Sequence, residues 1–149
     1  MADVQVTAGE TLLIKIGDGG SPENFNHSCS INTSRSFTIT ANESSVEVAD
    51  CTTPSNPAYV ARKVKSTDIT VEGAGTYDAA SEYALLTWAL AGTAKNCKIS
   101  QTNSGALGGF TITVPMILSS LGASGERGDF LSSQMSLKQA GKATLAQNA

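Results

Sequence analysis

The stretch INTSRSFTITA, residues 31–41, alternates apolar and hydroxyl-bearing side chains with the period of two that is typical of a β-strand. Ile31, Phe37 and Ile39 fall on one side of this pattern. Serine, threonine and asparagine fill the other side, and Arg35 interrupts the apolar one. The stretch therefore predicts a long strand with one apolar face and one hydroxyl-rich face.

Similar patterns recur along the chain. They predict further strands at residues 12–16, 69–77, 97–101, 110–118 and 131–137. Glycines in the second of these segments indicate a bulge or a close backbone approach. Pro115 predicts that its end of the strand lies at a sheet edge or a bulge, because proline donates no backbone hydrogen bond.

Two segments that follow residue 41 carry turn signals. Asn-Glu-Ser-Ser at 42–45 predicts a turn, so that 46–48 returns as the second strand of a hairpin. Residues 50–58 contain Pro54 and Pro57 and predict a loop, which we expect to continue through Lys65.

Between residues 78 and 92 the period changes to that of a helix. Asp78 or Ser81 is the expected N-cap, and Gly92 is the expected stop. The apolar positions at helical spacing are Ala80, Tyr83, Ala84, Leu86 and Leu90. Strands, one helix and then strands again predict a mainly β fold, an antiparallel β-sandwich or barrel with one flanking α-helix.

Length and composition set the domain organisation. The chain has 149 residues, of which 40% are hydrophobic and 15% are charged. One core of ordinary size suits such a chain, so we expect a single domain over residues 1–149. Within it, we expect an N-terminal arm at 1–10, a long loop at 50–65 and a C-terminal arm at 138–149.

The charge balance excludes some classes of partner. Ten Lys and Arg against thirteen Asp and Glu give a net charge of −3, which offers no basic surface for tight binding of nucleic acid. No apolar run approaches the length of a membrane span, and the start of the chain lacks a secretory pattern. We therefore expect a soluble protein that is made in the cytoplasm and has no membrane partner.

The residues that carry chemistry are sparse. His27 is the only histidine, and no nucleophile motif accompanies it, so we expect no enzyme and no catalytic residues. Cys29, Cys51 and Cys97 cannot all pair within one chain and lack the spacing of a zinc or redox motif. We expect them to be buried or partly exposed thiols, with no metal and no cofactor.

Three further patterns have simple structural interpretations. Gly-Asp-Gly-Gly at 17–20 lacks the rest of a phosphate-binding loop and predicts a turn. Arg-Gly-Asp at 127–129 lies in a glycine-rich segment and predicts a hairpin tip. Asp68, Glu72 and Asp78 share one strand face, which suggests an acid–base pair, although a solvated face is the commoner origin of that pattern.

Several segments occur in a characteristic order. They are LLIKIGDG at 12–19, SFTITANE at 36–43 leading into 46–48, KSTDITVEGAG at 65–75, the helix at 80–91, and the span from GFTI at 109–112 to MSL at 135–137. This ordered set covers most of the chain and resembles the major tail tube proteins of long-tailed bacteriophages. The loop at 50–63 departs most from that pattern.

The resemblance implies hexameric rings that stack into the hollow tail tube of the virion and conduct DNA into the host cell. In that family the inner sheets join into a continuous barrel around the lumen, and loops and terminal arms bridge the rings. The implied partners are further copies of the chain, the tape measure protein, the tail terminator and tail-tip proteins, and double-stranded DNA in transit. Assembly would take place in the cytoplasm of the bacterial host.

Two alternatives remain open at this point. Related folds build the tubes of contractile tails and of type VI secretion systems, so a secretion-system tube subunit is one. A monomeric β-sandwich binding module of a cell-surface or fimbrial protein is the other, and it would require a secretory signal.

A DNA conduit should be polar without gripping phosphates, because each lysine or arginine on a phosphate adds attraction that sliding must overcome. The hydroxyl-rich strand faces meet this requirement, and two carboxylates among them would repel DNA. The candidate lumen-facing residues are Asn32, Ser34, Ser36, Thr38, Thr40, Asp68, Thr70 and Glu72.

The long loop and the terminal arms are candidates for contact between rings. Flexible segments that order on assembly would keep the monomer soluble until assembly is templated. The candidate inter-ring residues are Asp50, Thr52, Pro54, Pro57, Tyr59, Arg62 and Lys63.

Overall fold

The structure is a computed structural model that describes residues 3–4, 6–28 and 31–149. Cys29 and part of the predicted arm at 1–10 therefore lie outside the described residues. The elements in chain order are β1 (Leu12–Gly17), β2 (Phe25–His27), β3 (Ser34–Val48), β4 (Tyr59–Thr76), α1 (Ala79–Ala91), β5 (Ala94–Gln101), β6 (Phe110–Ser124), β7 (Ser132–Gln139) and β8 (Thr144–Gln147).

The strands form one eight-stranded sheet in the order β2-β1-β5-β6-β7-β4-β3, and β8 pairs with β6 off this path. The pairings of β1 with β2 and β5, of β6 with β5, β7 and β8, and of β4 with β7 are antiparallel. The predicted mainly β, antiparallel fold with a flanking helix is confirmed. The chain divides into two compact units, Met1–Phe37 with Thr70–Ala149, and Thr38–Ile69.

The core of the first unit lies on one face of its strands. Alternate residues of neighbouring strands meet there, as in the pairs Ile99 with Ile112 and Cys97 with Val114. Phe37 and Phe110 add an edge-to-face ring contact at 5.9 Å. The buried strand residues are Ile14, Val71, Cys97, Ile99, Ile112, Val114, Met116, Met135 and Leu137. Each such side chain stabilises the fold by roughly 1.5–3 kcal/mol through removal from water.

Helix α1 has the predicted ends. The Asp78 carboxylate accepts a hydrogen bond from the Ala80 backbone N–H at 3.3 Å, as an N-cap does. Gly92 ends the helix at φ 68°, a left-handed conformation that glycine adopts without strain. Both predicted boundaries are confirmed.

The predicted apolar face of α1 is wrong. The helix buries Glu82, Leu85 and Trp88 and packs against β6, whereas Tyr83 and Leu90 are 80% and 89% exposed. Apolar residues occur on both faces, so spacing alone did not distinguish them. Trp88 decides the orientation, because its large ring gains most from burial and its indole N–H donates to the Thr93 carbonyl oxygen at 2.6 Å.

Pro115 itself lies inside the sheet rather than at its edge, and the predicted alternative, a bulge, agrees with the register shift between Leu118 and Ser120 at this end of β6. On one side β6 pairs with β5 through Asn96 and Pro115. On its other side, β6 pairs with β8 up to Thr113, and its pairing with β7 starts at Met116. Pro115 therefore lies between the two segments of β6 that pair with β8 and with β7. The Pro115 carbonyl still accepts from Ala140 N–H at 2.8 Å. A position between partners needs no N–H donor, so proline is tolerated there.

The predicted turn at 42–45 is wrong, because β3 continues unbroken to Val48. This segment has no glycine or proline to end the strand, and the Asn42 side chain donates to Ser66 Oγ on β4 at 3.0 Å. The chain turns instead at 49–58, which matches the proline-containing loop. The expected extension of that loop to Lys65 is also wrong, because β4 begins at Tyr59.

The C-terminal segment is more ordered than the arm expected at 138–149. Strand β8 pairs with the start of β6. The Asn148 amide donates to the carbonyl oxygens of Gln101 and Asn103 at 2.7 and 2.8 Å and accepts from Thr111 Oγ1 at 2.9 Å. These bonds tie the end of the chain to β5 and β6.

Gly73 offers a test of the core packing. A Cβ atom at this position would lie 2.8 Å from Cβ of the buried Ile31. We predict that Gly73→Ala lowers the free energy of unfolding by about 1–3 kcal/mol, because the core must shift to admit a methyl group. Urea unfolding measures this change. Gly9→Ala, which meets nothing within 4 Å, is the control, and equal stability of the two variants would contradict the packing described here.

Candidate functional site

The face of the first unit that lies opposite the core is rich in hydroxyl and amide groups. Cross-strand pairs place Glu72 beside Ser136, and Ser136 beside Ser120. We call this surface the hydroxyl face. Its residues line a shallow groove and include Ser34, Ser36, Glu72, Ser120, Gln134 and Ser136.

Strand alternation produces this surface. Val71, Met135 and Leu137 point into the core, so their neighbours in sequence point away from it. The charged residues of segments 34–37, 70–76, 118–124 and 132–139 are Arg35, Glu72 and Lys138. The Arg35 guanidinium donates to the backbone carbonyls of Leu12, Ile31 and Glu10. The hydroxyl face is therefore polar with little net charge.

The predicted lumen-facing residues are divided between the two compact units. Ser34, Ser36, Thr70 and Glu72 lie in the first unit, and Ser34, Ser36 and Glu72 line the groove. Thr38, Thr40 and Asp68 lie in the second unit, where both threonines are exposed and Asp68 is half-buried.

Asn32 has a structural task. Its Oδ1 accepts from Thr76 N–H at 3.1 Å, and its amide donates to the Thr76 carbonyl at 3.3 Å. Gly75 permits this approach, because a Cβ there would lie 2.6 Å from the Asn32 backbone nitrogen. The side chain therefore holds β4 near its end.

The hydroxyl face lies on strands with two open edges. Strand β3 ends the sheet path. At the opposite side, pairing of β6 with β5 stops at Ile117, whereas pairing with β7 continues to Ser124. Among the described residues, the segment 118–124 thus has a partner on one side only. Open edges carry backbone donors and acceptors that are free to pair with another chain.

The second unit, Thr38–Ile69, consists of parts of β3 and β4 and the loop between them. We call it the hairpin segment. Large apolar side chains stand in water along it, with exposed fractions between 46% and 63%. They are Ile39, Val46, Tyr59, Val60 and Val64. Apolar groups held in water on an extended segment indicate a surface that another molecule covers.

The loop at 49–58 is organised by Asp50. Its carboxylate accepts from the backbone N–H groups of Thr52 and Thr53 at 2.9 and 3.0 Å and from the Asn56 amide at 3.1 Å. The backbone hydrogen bond from Thr53 and those from Asn56 and Thr52 lower the pKa of this exposed carboxyl. Asp50 therefore shapes the loop from within, and Pro54 and Pro57 lie in the same loop.

Three predicted inter-ring residues lie on a strand. Tyr59, Arg62 and Lys63 belong to β4, and all three are exposed. These residues therefore have an extended backbone conformation, whereas the sequence pattern predicted a loop.

The sequence analysis missed the residues that β6 and β7 contribute to the hydroxyl face. Ser120, Gln134 and Ser136 were outside the candidate set. The signal was present at 131–137, where polar residues alternate with Met135 and Leu137, as they do on the strands whose hydroxyl faces supplied the candidates.

Other chemistry is limited. His27 Nδ1 lies 3.0 Å from the Ile14 carbonyl oxygen, and burial lowers the pKa of this imidazole. Within 3–4, 6–28 and 31–149, no three His, Cys, Asp or Glu residues cluster as metal ligands. None of the helices in these ranges has the length and apolarity to cross a membrane. The turns predicted at 17–20 and 127–129 are confirmed, with positive φ at Gly19 and Gly128.

Comparison with protein families gives one match over most of the chain. A family model described as phage tail tube protein matches residues 6–145. No curated protein sequence is significantly similar to this chain.

Solved structures share the fold. A chain from the virion of a native gene transfer agent particle has a TM-score of 0.67 and 16% identity, over 95% of this chain and 99% of that chain. The tail of an empty gene transfer agent particle, refined with C6 symmetry, has a TM-score of 0.66 and 19% identity, over 97% of this chain and 100% of that chain. The SPP1 tail tube has a TM-score of 0.65 and 10% identity, over 95% of this chain and 79% of that chain. At these identities, the matches show a common fold.

The two described cysteines differ in a way that can be measured. Cys51 is exposed in the loop, whereas burial raises the pKa of the Cys97 thiol to about 12, and the nearby Glu23 carboxylate adds to the rise. The reactive thiolate of Cys97 is therefore scarce at about pH 8. We predict that iodoacetamide alkylates Cys51 in the native protein and Cys97 only after unfolding. Peptide mass spectrometry resolves the sites, and equal native rates would contradict the burial.

Proposed function

This chain belongs to the phage tail tube protein family and is a structural subunit of a tail tube, and from that premise we propose which of its surfaces build the tube. The hydroxyl face lines the lumen, the two open strand edges join neighbouring subunits in a ring, and the hairpin segment connects one ring to the next. The chain acts as a structural element and not as an enzyme.

One observation carries this proposal: the hydroxyl face lies on strands that are open at both sides. Within the part of the chain that the structure describes, strand β3 has no partner on one side and residues 118–124 of β6 have none on the other. Joining β3 of one copy to this part of β6 of the next is a head-to-tail contact, which closes into a ring when the rotation permits. Such pairing satisfies the exposed backbone groups and continues the hydroxyl face around the ring.

Six copies per ring is the number that we infer. The gene transfer agent tail with this fold was refined with C6 symmetry. The tape measure protein, the tail terminator and the tail-tip proteins are the further proposed partners, with assembly in the cytoplasm of the bacterial host. Double-stranded DNA passes through the lumen without specific binding.

The electrostatics of the hydroxyl face suit DNA transit. Serine, threonine and glutamine keep the surface wet, while Glu72 repels phosphates. A lysine-lined wall would instead bind the backbone through release of counterions, and that attraction would oppose movement.

Two other functions account for less of the structure. A secretion-system tube subunit would share this fold, and the tube of a contractile injection system does so at a TM-score of 0.54, but the matched family is that of phage tails. In a monomeric binding module, both open strand edges would stay unpaired and the apolar side chains of the hairpin segment would stay exposed to water.

The lumen assignment predicts a defect in DNA transit. Glu72→Lys should leave tubes intact and slow genome ejection, because the added positive charge of every subunit attracts phosphates. The delay should grow as salt falls, because screening weakens. Ejection from particles is followed with a DNA-binding dye.

The control for this experiment is Thr87→Lys with Ala91→Lys, which adds positive charge on the exposed part of α1. The control should eject DNA at the normal rate. Normal, salt-independent ejection by the Glu72→Lys variant would exclude this residue from the lumen wall.

The hairpin assignment predicts a defect in stacking. Deletion of residues 52–57 removes Thr52, Thr53 and Asn56, which the Asp50 carboxylate holds. We expect a folded monomer with unchanged thermal unfolding that forms no tubes under negative-stain electron microscopy. If the deletion variant forms normal tubes, the loop does not contribute to the contact between rings.

A further inference from the structure

The turn between β6 and β7, residues 125–131, displays an aromatic side chain almost completely in water. Phe130 is 92% exposed, and the adjacent Leu131 is 48% exposed. Glu126 and Asp129 flank them and are also exposed. We call residues 125–131 the aromatic turn.

The aromatic turn is ordered by its own hydrogen bonds. Asp129 N–H donates to the Glu126 carbonyl at 3.1 Å, and Tyr77 N–H donates to the Leu131 carbonyl at 3.0 Å. The Ser124 and Ser132 hydroxyls lie 2.9 Å apart at its base. Phe130 is therefore presented by a fixed support, which lowers the entropy cost of binding a partner.

A complementary surface occurs on the hairpin segment. Residues 59–65 of β4 carry the exposed apolar side chains Tyr59, Val60 and Val64. The same segment carries three exposed basic residues, Arg62, Lys63 and Lys65. We call residues 59–65 the basic strand segment. Strand alternation places Val60, Arg62 and Val64 on one face of this segment. That face offers apolar groups for Phe130 and a cation for Glu126 and Asp129, the arrangement of apolar centre and polar rim that stable interfaces have.

The aromatic turn adjoins the pair Thr76 with Ser132, at one end of the β4–β7 ladder in the first unit. In the proposed stack, the hairpin segment of one copy meets the first unit of another copy. Different surfaces of identical chains then touch, so the contact is heterologous.

We propose that the basic strand segment of a subunit in one ring docks on the aromatic turn of a subunit in the adjacent ring, with Phe130 as the central contact. This inference rests on the proposed tube function and names the surface that receives the hairpin segment.

The test uses Phe130→Ser and a matched control on α1. Tyr83→Ser also removes an aromatic side chain that is mostly exposed, at 80%, but lies outside the proposed contact. Neither variant should change monomer unfolding, because both side chains are in water. Phe130→Ser should raise the protein concentration needed for tubes about tenfold or more, as loss of a central interface residue does. Tyr83→Ser should assemble like the wild type.

Charge reversal tests the rim independently. Glu126→Lys with Asp129→Lys should shorten tubes, most strongly at low salt, because lysines then face the basic strand segment. Adding Arg62→Glu to the same chain should restore part of the tube length, whereas adding Lys63→Glu, which makes the same charge change on the opposite face of the strand, should restore less. The difference between the two separates direct contact from an effect of net charge.

The outcomes separate this inference from the proposed function. If wild-type protein forms neither rings nor tubes with tail-tip components present, the tube function fails. If wild-type tubes form and Phe130→Ser tubes have the same length and salt dependence, the docking proposal alone is overturned. Failure of Arg62→Glu to restore more length than Lys63→Glu also overturns it.

Discussion

Unpaired backbone groups at strand edges are the constraint on which the assembly depends. A sheet that buries one face against a core still has to satisfy the donors and acceptors of its outermost strands. Here β3 ends the sheet path, and β6 loses its β5 partner after Ile117 while it keeps β7. In the proposed ring, a neighbouring copy supplies the pairing partner for each edge, because each copy carries both of them.

The two faces of the strands differ in composition, and in the proposed tube one face packs the core while the other lines the lumen. Val71 and Leu137 pack in the core, while their neighbours Glu72 and Ser136 stand on the hydroxyl face. A one-residue shift in register would exchange these roles, so core packing also fixes which groups DNA would meet. The same alternation continues into the hairpin segment, where apolar side chains such as Val64 remain exposed. In the proposed tube, contact between subunits buries those side chains.

Local sequence patterns predicted most strands and both ends of the helix, since alternation, capping and glycine stops act within a few residues. The predictions were wrong where the conformation of a segment depends on contacts with residues that are distant in sequence. Asn42 looked like a turn residue, but its bond to Ser66 keeps β3 extended. The C-terminal segment has a weak pattern of its own, yet Asn148 ties it to β5 and β6. On the candidate surface, Ser34, Ser36 and Glu72 could be chosen from alternation, whereas joining them to Ser120 and Gln134 required the strand order.

Determination of an assembled tube by cryo-electron microscopy tests the central claim most directly. The account predicts rings in which β3 of each subunit pairs with residues 118–124 of β6 in the next, and in which Ser36, Gln134 and Ser136 point toward the axis. A tube whose lumen is lined by α1, or whose subunits leave these two strand edges unpaired, would contradict it.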